Sequence, residues 1–439
     1  METPLTSPWA VIGGTVSLGD ADRELRRAWR TLDEEWRRGR HEGMLRLREV
    51  NLVVVCTEAT VEQSRVTASF VGRSHPARVI VIVVDPEEQA RSDSGIAAGP
   101  EAASFVARPR RPGSRRTHAF PSGPSASIST ACLLDEISGH QVCSEEVLVR
   151  RAGREEEALR AAVTQILVPD VPVVGWWTQD PAADSVGLCW LAGIADQVVT
   201  DLGRSNEPVL GLGALADLVA EGSVMVRELE WSRSAPWRVL TAELFDQADK
   251  QALIPRMIWL EVDHREAPVQ ALLYASWFVS RLGLVIHDSG WWVENGSLCA
   301  RFVDEEAADE ARETGDDSDE RGAKVPAELV VRLCSEVESD TEEIGLTGVR
   351  IGSRNEDSTE EASERALHLD RHPNSCLCSV TAGPEGAQLT VKSLLRTELD
   401  DDEGLSRVID TPFVDKVLSE TLLYARKLVG LPGFRFDLV

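Results

Sequence analysis

Residues 159–177 constrain the fold most. Leu159, Ala162, Val163, Ile166 and Leu167 recur at helical spacing until Pro169, whose ring forbids continuation. A β-branched run then ends on paired tryptophans, Val171-Pro172-Val173-Val174-Gly175-Trp176-Trp177, and reads as a strand. Alternation along that strand sends Trp176 and Trp177 to opposite faces, with at least one expected near a rim or interface. Asp170, between two prolines, reads as a turn residue rather than a base.

The same helix–strand alternation extends on both sides. Residues 20–39 form an amphipathic helix carrying Leu25, Trp29, Leu32 and Trp36 on one face, and strands follow at 51–56 and 78–84. A hairpin over 129–149 turns at Ser138-Gly139, and strands at 194–200 and 256–262 alternate with helices at 211–221, 236–246 and 267–282. The pattern predicts an α/β domain over 1–283, an N-terminal α/β layer with a mostly parallel sheet. From Leu284 the strands come in hairpins, one around Asn295-Gly296, and predict a smaller α+β domain over 284–439 with an antiparallel sheet. Its last helix is expected to be capped at Thr411-Pro412, with Val414, Val417, Leu418, Leu422 and Ala425 inward.

Three acidic loops interrupt this second half, at about 304–320, 355–365 and 398–404; residues 304–320 alone hold ten carboxylates and one Arg, too much charge to bury. A long loop at about 86–127 in the first half gathers Arg108, Arg110, Arg111, Arg115 and Arg116. Solvation explains such a cluster, and so does a grip on an anionic ligand or partner, since guanidinium binds carboxylate or phosphate with two hydrogen bonds.

The net charge of −27 argues against nucleic acid as a partner, because phosphates would be repelled. No apolar run approaches a membrane span and no leader pattern opens the chain, so the expectation is a cytoplasmic protein with no membrane partner. The basic residues include only five lysines, a balance that fits either a salt-rich cytoplasm or a biased genome.

Catalytic and cofactor patterns are not found. The chain has neither a G-x-x-x-x-G-K-[ST] loop nor a G-x-G-x-x-G turn, so no nucleotide cofactor is assigned. It also lacks a G-x-S-x-G elbow and clustered histidines, and its eight cysteines have no zinc spacing, so no catalytic residue and no metal are assigned. His75 reads as a strand-end residue held by a backbone hydrogen bond, and Arg78 as the partner of a nearby carboxylate.

Four segments, in order, carry a resemblance: Asn51-Leu52-Val53-Val54-Val55, His75-Pro76-Ala77-Arg78-Val79-Ile80, the Val168–Trp177 core, and Trp231-Ser232-Arg233-Ser234-Ala235-Pro236-Trp237-Arg238. Together they resemble the glucose-6-phosphate dehydrogenase assembly protein family, OpcA. Gly175 departs from the family pattern, which has Leu or Phe there, and is expected to loosen packing. The resemblance implies a non-enzymatic assembly factor and allosteric activator whose partner is glucose-6-phosphate dehydrogenase. A different class stays open beside it: a sugar-phosphate enzyme or ligand sensor using the 108–116 arginines.

Within the motifs, Trp176, Trp177, Arg233, Trp237 and Arg238 are the candidates for a partner surface, as tryptophan and arginine dominate binding hot spots. The alternative is equally physical, with Trp237 anchoring a helix and Arg233 bonded to a nearby loop. The resemblance also brings Cys376 and Cys378 forward as redox candidates. Strand alternation puts both thiols on one face, and a bond to Cys299 or Cys334 across strands would be less strained than one between them.

Overall fold

The computed structural model describes residues 10–11, 16–38, 44–45, 48–84, 125–134, 141–150, 156–304, 325–335, 344–354, 364–371, 377–382, 391–394 and 401–435. These belong to two compact units, one of residues 1–179 with 186–196 and one of 180–185 with 197–439. The expected change of character at 283 falls inside the second unit. The reason is strand β11 (Met257–Arg265), which pairs with β14 (Glu328–Ser335) on one side and β15 (Gly345–Arg354) on the other. Hydrogen bonding thus ties 257–265 to the later half, although helices flank it in sequence.

The first unit is an α/β layer. Its sheet runs β1 (Ala10–Val11), β6 (Ser125–Leu134), β7 (Gln141–Arg150), β5 (Ala77–Val84), β4 (Val50–Thr57), β8 (Val173–Trp177), with the short β2 (Val16–Ser17) on β6 and β3 (Met44–Leu45) on β7. The neighbours from β7 to β8 pair in parallel; the β6–β7 hairpin and the β1 and β2 pairings are antiparallel. All eight residues of β5 are buried, as a strand covered on both faces requires. Helix α1 (Ala21–Arg38) lies against β6, and α2 (Val61–Ser74) against β4, β5 and β7. Both α2 and α4 (Ser185–Ile194) escape the sequence reading. Their apolar residues are spread around the helix, so the 3.6-residue period is weak.

Three of the motif segments meet at one turn. Helix α3 (Glu156–Ile166) ends where Asp170 takes the left-handed conformation, φ 60°, that a turn requires. Buried Asn51 spans this turn: its Nδ2 donates to the carbonyls of Val168 and Val171, and its Oδ1 accepts from the Val168 amide. Arg78 donates to the Ile166 carbonyl at 2.5 Å. The last carbonyl of the helix and two carbonyls of the turn are thus satisfied by side chains from β5 and β4. Gly175 does not loosen the packing. A Cβ there would stand 2.7 Å from Leu191 Cγ, so the buried Leu191 of α4 fills the space that a larger residue would take.

In the second unit β9 (Gln197–Thr200) and β10 (Met225–Glu228) pair in parallel, linked through α5 (Pro208–Glu221). Its larger sheet runs β12 (Val285–Glu294), β13 (Ser297–Val303), β14, β11, β15, β16 (Glu364–Arg371), β17 (Leu377–Ala382), β18 (Val391–Leu394). It is mixed rather than wholly antiparallel, because β11 and β14 run parallel. The β12–β13 turn is at Asn295-Gly296, with both residues at positive φ, as a tight hairpin demands. Helix α8 (Pro268–Leu282) packs on β11, β14 and β15, and α10 (Lys416–Val429) packs on α8 and α5.

Two expectations near the end of the chain are corrected. Residues 401–410 form helix α9, so the acidic loop expected at 398–404 is helical from Asp401; its acids sit in the first turn and Leu405 and Val408 are buried. Asp415, not Thr411, caps α10 by accepting from the Leu418 amide, which leaves Val414 outside the helix and exposed.

Candidate functional site

The site lies where β9 and β10 end in the second unit. Asp201 follows β9; Glu228 ends β10 and starts α6 (Leu229–Arg233), which leads through Ser234 into α7 (Ala235–Phe245). Glu228 is fully buried. One of its oxygens accepts from the Leu202 amide at 2.9 Å and the other from the Trp231 amide at 2.6 Å, so it caps α6. Arg233 reaches back with two parallel bonds to the Asp201 carboxylate, 3.0 and 2.9 Å, and also pairs with Glu230. A Cβ on Gly203 would run into the Glu230 carboxylate, so this packing needs a glycine there.

Three carboxylates thus crowd one half-buried guanidinium. Burial first, then the charges of Glu230 and Asp201, push the Glu228 carboxyl up to about 8. Burial likewise raises Glu230, against the pull of Arg233. For Arg233 burial opposes the charge, but the Asp201 hydrogen bonds and the charge of Glu230 outweigh it and its pKa rises.

A second group of contacts adjoins this one. The Arg238 guanidinium stacks 3.2 Å from the centre of the Trp231 ring and donates to the Trp231 carbonyl at 2.7 Å. Burial lowers its pKa to about 9. The Trp231 indole donates to Asp415 at 2.9 Å. Arg227, buried beside β10 and lowered in pKa by desolvation, donates to the carbonyls of Thr411 and Phe413.

The structure brings Arg233, Trp237 and Arg238 together and places Trp176 and Trp177 in the other unit. All three tryptophans are core: 4 % exposed at Trp176, 1 % at Trp177 and 1 % at Trp237. Both faces of β8 are covered, so neither of its tryptophans has the rim position expected of one of them. Arg108, Arg110, Arg111, Arg115, Arg116 and Cys376 lie outside the described residues, and Cys378 is described only as part of β17. Three strands separate β17 from β14, which at ~4.8 Å a strand puts Cys378 far beyond disulfide reach of Cys334. Burial raises the Cys334 thiol to about 11 and also raises Cys299, so neither is poised to ionise.

Sequence reasoning missed Asp201, Arg227, Glu228, Glu230 and Asp415 as site residues. The one local signal was a Glu at a strand-to-helix junction three residues before a Trp, the spacing of a capping side chain. Chemically the cluster is closed on itself. Glu228 has the affinity of a general base, but both its oxygens are held by backbone amides and no solvent reaches it. Among the described residues no group of three or more His, Cys, Asp or Glu is placed to hold a metal, and no helix is long and apolar enough to cross a membrane.

Among solved structures, the chain is similar to a 3-ketoreductase from Actinomadura kijaniata, at 8 % identity and TM-score 0.42, covering 88 % of this chain and 96 % of that one. An NAD-binding oxidoreductase from Klebsiella pneumoniae has 8 % identity and TM-score 0.43, covering 87 % and 96 %. Putative OxPP cycle protein OpcA of Synechocystis is 30 % identical over 164 residues, 36 % of this chain and 34 % of that protein. The Nostoc punctiforme protein of the same name is 30 % identical over 162 residues, 36 % and 35 %. The matched stretch therefore spans about a third of either relative's length. Residues 68–217 match the family model described as glucose-6-phosphate dehydrogenase subunit N-terminal domain, and residues 224–312 match the corresponding C-terminal domain. The two models follow one another in order and take in more than half of the chain, including Arg78, the Trp176-Trp177 strand and the Trp231–Arg238 cluster. The chain belongs to the OpcA family of glucose-6-phosphate dehydrogenase assembly proteins.

Proposed function

We propose that this protein is a non-catalytic assembly factor and allosteric activator of glucose-6-phosphate dehydrogenase. The match to both domains of the OpcA family carries the reading. The closed acid–arginine cluster is in keeping with it: its charges are directed at one another, and its effect is to fix the shape of the second unit. Trp176, Trp177, Arg233, Trp237 and Arg238 then serve the partner surface through the fold that they hold.

Such a protein activates by binding one oligomeric or conformational state of the enzyme more tightly than another, and it can shift the equilibrium only by that difference. Adding it to purified dehydrogenase at low substrate should raise the rate and yield a complex on a sizing column. Absence of both a complex and a change of rate would overturn the proposal. So would turnover of glucose 6-phosphate by this protein alone.

A further inference from the structure

The loop between α9 and α10 shows a pairing of opposites. Thr411, Pro412, Phe413 and Val414 are all exposed, Phe413 at 77 % and Val414 at 61 %. Yet the backbone beneath them is held by hydrogen bonds from several sides. Arg227, a buried guanidinium, donates to the carbonyls of both Thr411 and Phe413. The Thr411 amide donates to Val408 and its hydroxyl to Arg407. Asp415 closes the other side, accepting from the Trp231 indole and capping α10. Pro412 fixes its own φ.

A loose loop would let Phe413 fold back onto the surface and cover its ring. Here the tip is held away from the core, so an aromatic side chain stands in water on a rigid base. That is the form of a binding anchor, because the ordering cost of the segment is met before the partner arrives. Burying Arg227 is costly and leaves its pKa lowered, and the hydrogen bonds that offset this cost go to the backbone of the tip.

The occupant follows from charge and from the props. A second copy would bring −27 against −27, a like-charge encounter that disfavours self-association. Arg227 and Trp231, which hold the tip, lie within residues 224–312, the stretch matched to the second of the two family domains. We propose that the 411–414 tip is an anchor for glucose-6-phosphate dehydrogenase, with Phe413 inserting into an apolar pocket on the enzyme and Val414 beside it. This rests on the function proposed above.

The test is the affinity of the full chain for purified dehydrogenase by surface plasmon resonance, for wild type, Phe413→Ala, the double variant Phe413→Ala/Val414→Ser, and Ile344→Ser, an exposed apolar residue elsewhere. Phe413→Ala should weaken binding about thirty-fold, the scale of a hot spot, and leave the melting temperature unchanged. Ile344→Ser should bind like wild type. Arg227→Met should weaken binding and quicken amide exchange at 411–415 with Phe413 still present. Wild-type binding that Phe413→Ala and the double variant leave intact would overturn the anchor and spare the assembly function. Wild type that does not bind at all would overturn both. Loss of self-association in Phe413→Ala, with dehydrogenase binding unaltered, would replace the enzyme by a second copy and so refute the assignment.

Discussion

Each unit buries charge, but the two do so differently. In the first, neighbouring acids on β7 are each bonded directly to arginine, although Arg65 also pairs with Glu62 and Arg78 with Asp22. Glu146 forks onto Arg65 with two bonds of 2.8 Å, and Glu145 accepts from Arg78 at 2.9 Å and from the Trp29 indole at 2.7 Å. In the second, Asp201 and Glu230 share Arg233, while Glu228 rests on two backbone amides. Burial raises both Glu146 and Glu228, but only Glu146 has an arginine fork to pull it back. A buried acid bonded to a guanidinium is held as an ion pair; one bonded only to neutral amides becomes a proton-dependent element. That difference can be broken experimentally.

The largest effect is expected from the aromatic core on which both arrangements rest. Trp177→Ala in the first unit and Trp237→Ala in the second should each cost about 3–5 kcal/mol in urea unfolding. A loss under about 1 kcal/mol in either would show that the tryptophan is not packed as core. Next comes Arg65→Met, which leaves Glu146 buried without its fork and should cost about 3 kcal/mol or more. Adding Glu146→Leu should recover most of that loss, and strict additivity would argue against coupling between the two side chains.

Gly175→Ala should cost about 1–3 kcal/mol, since its Cβ meets the branched centre of Leu191 rather than a free side-chain end. Combining it with Leu191→Ala should give less than the sum of the single losses. The smallest effect depends on pH. Folded Glu228 holds its proton to about 8, whereas unfolding returns it to the ordinary 4.5. Its stabilising share is full below about 4.5, declines as pH rises, and is gone above about 8. Glu228→Gln should therefore flatten the fall of stability between about pH 4.5 and 8, at the cost of leaving one of the two backbone amides facing an N–H donor. Glu146→Gln should destabilise by unpairing Arg65. A pH profile as steep in Glu228→Gln as in the wild type would erase the contrast between the units.

Much of the fold is legible locally. The Pro169 break, the Asp170 turn and the Asn295-Gly296 hairpin depend on backbone sterics that a few residues dictate. So is the burial of β4 and β5, written in the apolar runs Leu52-Val53-Val54-Val55 and Val79–Val84. Helices α2 and α4 stay hidden because helices that bury more than one face lose their period. Of the site, the sequence marks Trp231, Arg233, Trp237 and Arg238 by residue type and order. It does not say that Trp237 is core, because exposure depends on what packs above a helix.

The sequence by itself determined the family, the α/β class and the places where helices must stop, since these follow from motif order, periodicity and proline. Only the tertiary structure decided which carboxylates share Arg233, because Asp201 stands 32 residues from it in sequence and meets it only when β9 and β10 lie side by side. It also decided the surface. Helical spacing turned Val414 inward, but Trp231, 184 residues away, holds Asp415 as the true cap and leaves Phe413 and Val414 in water. Local periodicity carries no term for a hydrogen bond arriving from so far along the chain.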